Sequence, residues 1–414
     1  MTPLGVAVCL SLFGDLTLFA VLVDQLSVVG LSLGAAGIML GVHRLLRIGA
    51  NPVAGLLFDR RGRRPMFLLG MVLAVLSTLG YAMVRGFWPF LVTRLAWGLA
   101  WTLLHVGGLA MVLDISERAN RGRWMGVYNT WVLAGLALGP VVGGLLVDAI
   151  GFRPGMLVCA GLSAIGLAVA LLFLPETAPP AAAGQEPRPA ISALKLRLGL
   201  LWLRRVRPLL RANPGLITAA GLYLIVQFTG EGVVLSTITL LLRQRFGERL
   251  AVGTLVMGVA SAGGLLLGFR SLMAGVAGPL AGHLSDSRWG RWPTIVGSLF
   301  VGLAGFALLA FARSPVLLVV GVALGAVSAG AILASLAALV GDLTPPGREG
   351  AVMGFYAGAG DVGSTAGPFL AFALVAAVDL RWVYASCAAT FLAGLGLIAS
   401  MRRANHVQAK EPRA

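Results

Sequence analysis

Seven charged side chains stand where their neighbours are almost entirely apolar: Asp15, Arg44, Arg47, Arg94, Glu231, Arg270 and Asp361, with His43 and His105 close by in the chain. In such surroundings a carboxylic acid and a guanidinium can work as a proton switch. Burial favours the neutral acid and a nearby guanidinium favours the carboxylate, so a change in their separation takes up or releases a proton. Asp15 and Glu231 each follow a glycine, in "FGD" and "TGE". At helical spacing Arg94, Trp97, Gly98, Trp101 and His105 make one stripe, and Tyr223, Gln227 and Glu231 make another. Stripes that mix charge with aromatic surface suit a cavity for a small molecule. The plainer reading of each member is structural: an ion pair, a packing aromatic or a satisfied core histidine.

The elements that must hold these groups are apolar runs. The 414 residues are 58% hydrophobic and 12% charged, with a mean hydropathy of +0.91, more apolar surface than a water-soluble fold can bury. The chain is therefore expected to be an all-α integral membrane protein. A span needs about 20 apolar residues, and twelve such runs are present, at 3–24, 31–57, 65–84, 88–112, 124–149, 154–174, 214–240, 251–281, 293–312, 315–340, 351–377 and 382–401. A guanidinium facing lipid near the bilayer centre costs from about 2.5 to more than 10 kcal/mol, so Arg94 and its companions must face a cavity or a carboxylate. Lys and Arg outnumber Asp and Glu by 32 to 16. Topology, rather than nucleic acid, accounts for that excess: with the N-terminus inside, 21 basic residues fall on the cytoplasmic side, 7 outside and 4 within spans. Both termini are expected in the cytoplasm, and Asp24 reads as a solvated helix end. Cys9, Cys159 and Cys387 lie inside apolar runs with no metal spacing, and no cleavable leader is expected from "MTPLGVAVCLSLFG".

The charged punctuation repeats. Gly62, Arg63 and Pro65 recur as Gly290, Arg291 and Pro293, and the same shift of 228 carries Asp114 to Asp342, Tyr128 to Tyr356, Gly135 to Gly363 and Pro140 to Pro368. An ordered series at one offset means two homologous halves. Six spans separate equivalent points, an even number, so both halves enter the membrane in the same direction. The expected organisation is a six-helix bundle over 1–175, a linker over 176–213, a second bundle over 214–401 and a tail over 402–414.

"GLLFDRRGRR", with Gly55, Asp59, Gly62 and Arg63, resembles the loop signature of the major facilitator superfamily. "GHLSDSRWGRW", with Gly282, Asp286, Gly290 and Arg291, is similar to its second-half counterpart, with one residue inserted before Gly290 and Ser287 in place of a base. The resemblance implies a latch that closes the cytoplasmic side in the outward-facing state, with Asp59 reaching the helix start near Gly350 to Met353. A role in topology alone is the other reading of these bases. "GVYNTWVLAGLALGPVVGG" resembles the glycine pattern of the superfamily's drug:proton antiporters, through Gly126, Gly135, Gly139, Pro140, Gly143 and Gly144. Gly135, Gly139 and Gly143 share a face that admits a close neighbour. Pro140 leaves the Leu136 carbonyl without its helical donor and bends the helix. Arg94 followed by Gly98 resembles the superfamily's basic motif linked to proton transfer.

The linker is Pro- and Ala-rich at first, then mixes Lys195, Arg197, Arg204, Arg205, Arg207 and Arg211 with leucines and Trp202. Its second part is expected to lie along the inner leaflet. No phosphate-cradling loop or nucleotide-binding segment is present, so an ion gradient or the substrate itself must drive any work, and no enzyme, cofactor or metal is expected. Three functions remain in view: proton-coupled export of lipophilic compounds, transport of organic anions, and a membrane sensor that transports nothing. The expected partners are a small-molecule substrate, protons and the lipid bilayer of a bacterial inner membrane, with the chain acting as a monomer.

Overall fold

Backbone polar groups inside a bilayer must pair within the chain, and an apolar run satisfies them by forming a helix. The computed structural model describes residues 1–117, 120–177, 213–252, 255–287, 289–345 and 348–410; within these, the side chains at 52, 56, 59, 60, 251, 252, 255, 349–351 and 404–410 stand outside the description. The first half holds α1 (Thr2–Val21), a short α2 (Leu26–Val29), α3 (Leu33–Arg61), α4 (Arg63–Met83), α5 (Phe87–Ile115), α6 (Arg121–Ile150) and α7 (Phe152–Phe173). The second begins with α8 (Pro214–Val226), which runs through a π-helical stretch at Gln227–Val234 into α9 (Leu235–Phe246). It continues with α10 (Val259–Ser287), α11 (Arg291–Phe311), α12 (Pro315–Leu343), α13 (Glu349–Val375) and α14 (Leu380–Lys410).

Among the described residues, eleven helical runs are long and apolar enough to cross a membrane. The remaining expected span is α13, 27 residues long, whose glycines, Asp361 and Pro368 dilute its hydropathy. Two boundaries differ from expectation. Arg249–Val252 and Leu255–Gly258 form antiparallel strands β1 and β2, so the eighth span starts at Val259 and not at 251. A short apolar run does not distinguish strand from helix by composition. The expected tail, in turn, begins as helix through Lys410. The basic linker, expected along the inner leaflet, lies outside the described residues from 178 to 212.

The repeat is visible in the coordinates. Helix starts at 63, 87, 121 and 152 correspond to 291, 315, 349 and 380, each 228 residues on. The same shift relates two ion pairs: Arg63 Nε lies 3.0 Å from Asp114 Oδ2, and Arg291 Nε lies 3.0 Å from Asp342 Oδ2. Each pair ties the start of one helix to the end of the next. Gly62 and Gly290 precede them with φ of 87° and 79°, a conformation that strains any residue with a Cβ. Glu176 accepts hydrogen bonds from the backbone N–H groups of Arg63 (2.9 Å) and Arg64 (3.1 Å), placing a carboxylate at the positive end of α4.

The halves meet through α6 against α10 and α3 against α13. Gly144 abuts the Ala260 carbonyl and Gly264 abuts the Pro140 carbonyl, with no room for a Cβ at either. The Leu136 carbonyl that Pro140 leaves without a helical donor lies 3.2 Å from the Ser271 hydroxyl of α10, which it shares with the Leu267 carbonyl of that helix at 3.1 Å. A bend in one half is thus satisfied by the other. Among the described residues, hydrogen bonds and ion pairs between halves run from mid-helix to the face carrying Asp24 and Asp148. Arg243 Nη1 lies 3.0 Å from Asp24 Oδ1, the Ser261 N–H donates to Asp148 at 2.8 Å, and the Thr239 hydroxyl donates to the Ala20 carbonyl at 2.7 Å. At the arginine-rich face, Gly55, Gly126, Gly282 and Gly358 have open space beside them. The contacts that tie the halves among the described residues thus gather toward the face carrying Asp24 and Asp148.

Candidate substrate and coupling site

Arg94 is fully buried on α5 and is surrounded by acceptors. Its Nη1 lies 2.5 Å from Asp15 Oδ1 on α1 and donates to the Tyr81 hydroxyl at 3.0 Å. Its Nε donates to the Met39 carbonyl at 2.7 Å, and Nη2 lies 2.7 Å from His43 Nδ1. A guanidinium only donates, so His43 Nδ1 accepts and the neutral ring carries its proton on Nε2. Gly98, one turn along α5, lies against the His43 backbone with no space for a side chain, which lets α3 come close enough for these contacts.

A second cluster joins the halves. Glu231 sits inside the π-helical stretch between Gly230 and Gly232, and its Oε1 lies 2.8 Å from Arg270 Nη2. From α3, Arg44 donates to the Glu231 carbonyl at 3.0 Å and reaches its Oε2 at 3.5 Å. One turn on, Arg47 Nη2 stands 3.6 Å from Asp361 Oδ1. π-helical turns recur at functional sites, and here Gly232 abuts Gly367 of α13 while Gly230 borders Arg270. The only sequence signal for the turn was a glutamate between two glycines.

Both clusters border a central cavity of about 190 Å³. Asp15, Arg44, Arg47, Trp97, Trp101, Tyr223, Gln227, Glu231 and Asp361 all line it. Trp97 and Trp101 stack at 6.3 Å, and His105 stacks on Trp101 at 5.4 Å. His105 and Arg270 stand behind the lining and not in it: His105 covers the far face of Trp101, and Arg270 backs Glu231. A larger polar vestibule of about 630 Å³ lies between the halves at the tied face, lined by Asp24, Asp148, Arg243 and Glu248. It lacks aromatic surface, so the smaller cavity is the one that joins charge to an apolar wall, as ligand sites do.

A profile of the Major Facilitator Superfamily matches residues 4–272 and again 260–414. The chain belongs to the Major Facilitator Superfamily. It is a multi-pass membrane transporter and not an enzyme. It is 26% identical over 376 residues to the "Multidrug resistance protein MdtG" of Salmonella heidelberg (strain SL476), covering 89% of this chain and 86% of that one. The protein of the same name from Dickeya zeae (strain Ech586) is 26% identical over 354 residues, with 84% and 80% covered. Among solved structures, the human organic anion transporter MFSD10 (TETRAN) superposes with a TM-score of 0.67 at 21% identity, covering 96% of this chain and 98% of that one. An inward-facing, occupied bacterial homolog of the human lysosomal transporter Spinster gives 0.73 at 17% identity, covering 100% and 98%. Such structural likeness establishes the superfamily fold.

Within that fold, the side chains of Asp59 and of residues 349–351 lie outside the description, so of the helix start expected to receive Asp59 only Val352 and Met353 are described. Asp286 pairs with Arg291 of its own loop, which also reaches Asp342. The antiporter-like glycines divide their work. Gly135, Gly139 and Gly143 lie against Leu12, Leu16 and Thr17 of α1 in the same half, and Gly144 alone of the four faces α10 of the other half. Asp24, expected to be solvated, is instead half of an ion pair between halves. Sequence reasoning missed that contact, because the partners lie 219 positions apart and no spacing rule relates them.

Proposed function

We propose that this superfamily member exports small lipophilic compounds in exchange for protons, by alternating access, from the cytoplasm of a bacterial cell across its inner membrane. Both termini lie in the cytoplasm in this reading, which the excess of Lys and Arg in those loops supports. The arginine-rich face is then the cytoplasmic one, and the contacts that tie the halves stand toward the outer face. The observation that carries the proposal is the buried Asp15–Arg94 pair on the wall of the central cavity. With the halves tied at the outer face the two are in contact, which suits release of a proton inward and binding of a compound. With the cavity open outward, a longer separation would let Asp15 load a proton. The relatives named for multidrug resistance support export as the direction.

The test is a compound screen in inside-out vesicles with an acidified lumen. A transported compound should dissipate the pH difference on addition, and Asp15→Asn vesicles should not respond. If compounds accumulate in wild-type vesicles without moving protons, the coupling is wrong.

A further inference from the structure

Four guanidiniums and three carboxylates meet around the central cavity, and the pairing is uneven. Arg94 engages Asp15 at 2.5 Å. Glu231 is shared, held at 2.8 Å by Arg270 but at only 3.5 Å by Arg44, whose closer contact is a backbone carbonyl. Arg47 stands 3.6 Å from Asp361, and its buried Nε has no acceptor among the described residues. Arg44 and Arg47 therefore line the cavity from one face of α3, each held to a carboxylate only by a long contact of 3.5 and 3.6 Å. A desolvated donor left unpaired is unfavourable, and a guanidinium fork matches a planar or tetrahedral oxyanion. The stacked pair Trp97 and Trp101, on the neighbouring α5, lines the same cavity.

We infer that the cavity selects compounds carrying one anionic group, a carboxylate, sulfonate or phosphonate, on an apolar or aromatic body. The anion binds Arg44 and Arg47, and the body lies against Trp97 and Trp101. A cationic compound would meet four guanidiniums against three carboxylates around the same cavity. Export of a monoanion also runs with an inside-negative membrane potential. The inference rests on the cavity being the substrate site, as proposed above, and does not depend on the coupled ion.

Equilibrium dialysis tests it, using the full-length protein in nanodiscs against empty nanodiscs. The probes are naphthalene-2-sulfonate, its neutral near-isostere naphthalene-2-sulfonamide, and 2-naphthylmethylammonium. The sulfonate should bind about ten-fold more tightly than the sulfonamide, the gain of one charge-assisted fork, with the ammonium weakest. Arg44→Gln and Arg47→Gln should each remove most of that preference by weakening the sulfonate far more than the sulfonamide, and sulfonamide binding that persists shows that the variants are folded. Equal affinity of sulfonate and sulfonamide for the wild type, or a preference that survives both substitutions, overturns the anion assignment and leaves the cavity reading standing. Should none of the probes bind, or should Trp101→Ala leave every affinity unchanged, the cavity is not the substrate site and both readings fall.

Discussion

Arg94 and Arg47 are both membrane-embedded arginines, yet their surroundings demand different things of them. Arg94 is fully buried with four acceptors around one guanidinium, whereas Arg47 is part-exposed and makes a single long ion pair. Removing one member of a buried pair leaves a charge uncompensated, at about 3–5 kcal/mol, while a part-exposed pair is worth about 0–1 kcal/mol. Arg94→Gln is therefore predicted to lower the stability of the purified protein by several times more than Arg47→Gln. Thermal unfolding in detergent measures both, and equal losses would contradict the contrast. The Asp15–Arg94 pairing was legible in the sequence because both residues lie in one half and a lipid-facing arginine is prohibitive. The partners of Arg44 and Arg47 were not. They come from the other half, and only its placement brings Glu231 and Asp361 to α3.

At the scale of elements, much of the repeat could be read, since punctuation at a fixed offset marked the starts at 63 and 291 and bracketed those at 121 and 349, whereas nothing in that series marked 87 and 315. The π-helical stretch was not readable, because an extra residue in a turn leaves hydrophobic periodicity nearly unchanged over so short a run. Gly232→Ala tests that stretch: a Cβ would run into the Gly367 backbone, so the variant is predicted to lose transport even though alanine favours ordinary helix. Transport at the wild-type rate would show that the contact has slack. The α6 bend gives a second prediction. Ser271→Ala leaves the Leu136 carbonyl without its cross-half donor and should destabilise by about 1–3 kcal/mol. In a Pro140→Ala background the residue 140 N–H can take that carbonyl, and the loss should shrink. A double-mutant cycle in detergent reads the difference, and additive losses would mean that the two positions do not share the carbonyl.

For the whole molecule, the sequence specified two homologous halves but not at which face contacts would tie them. That choice depends on contacts such as Arg243 with Asp24 and Asp148 with the start of α10, formed between the halves. Asp24→Asn should loosen the tied face and shift the population toward the outward-open state. Asp59→Asn is predicted to act in the opposite sense, by weakening the cytoplasmic latch. Labelling of single cysteines in the cavity by a membrane-impermeant thiol reagent, applied from one side at a time, reports both shifts. No change in labelling from either side in the two variants would remove the latches from the cycle.

The central claim is that protons drive transport through the acid on the cavity wall, and one comparison addresses it directly. Reconstituted wild type and Asp15→Asn would be assayed with a transported compound in two modes, accumulation driven by a pH gradient and downhill exchange without one. The account predicts that Asp15→Asn abolishes accumulation while retaining compound binding and exchange, because the carriage of substrate survives and only its linkage to the proton is lost. If Asp15→Asn still concentrates the compound against its gradient and Glu231→Gln does not, the coupling acid is Glu231 and the role assigned to the Asp15–Arg94 pair is contradicted.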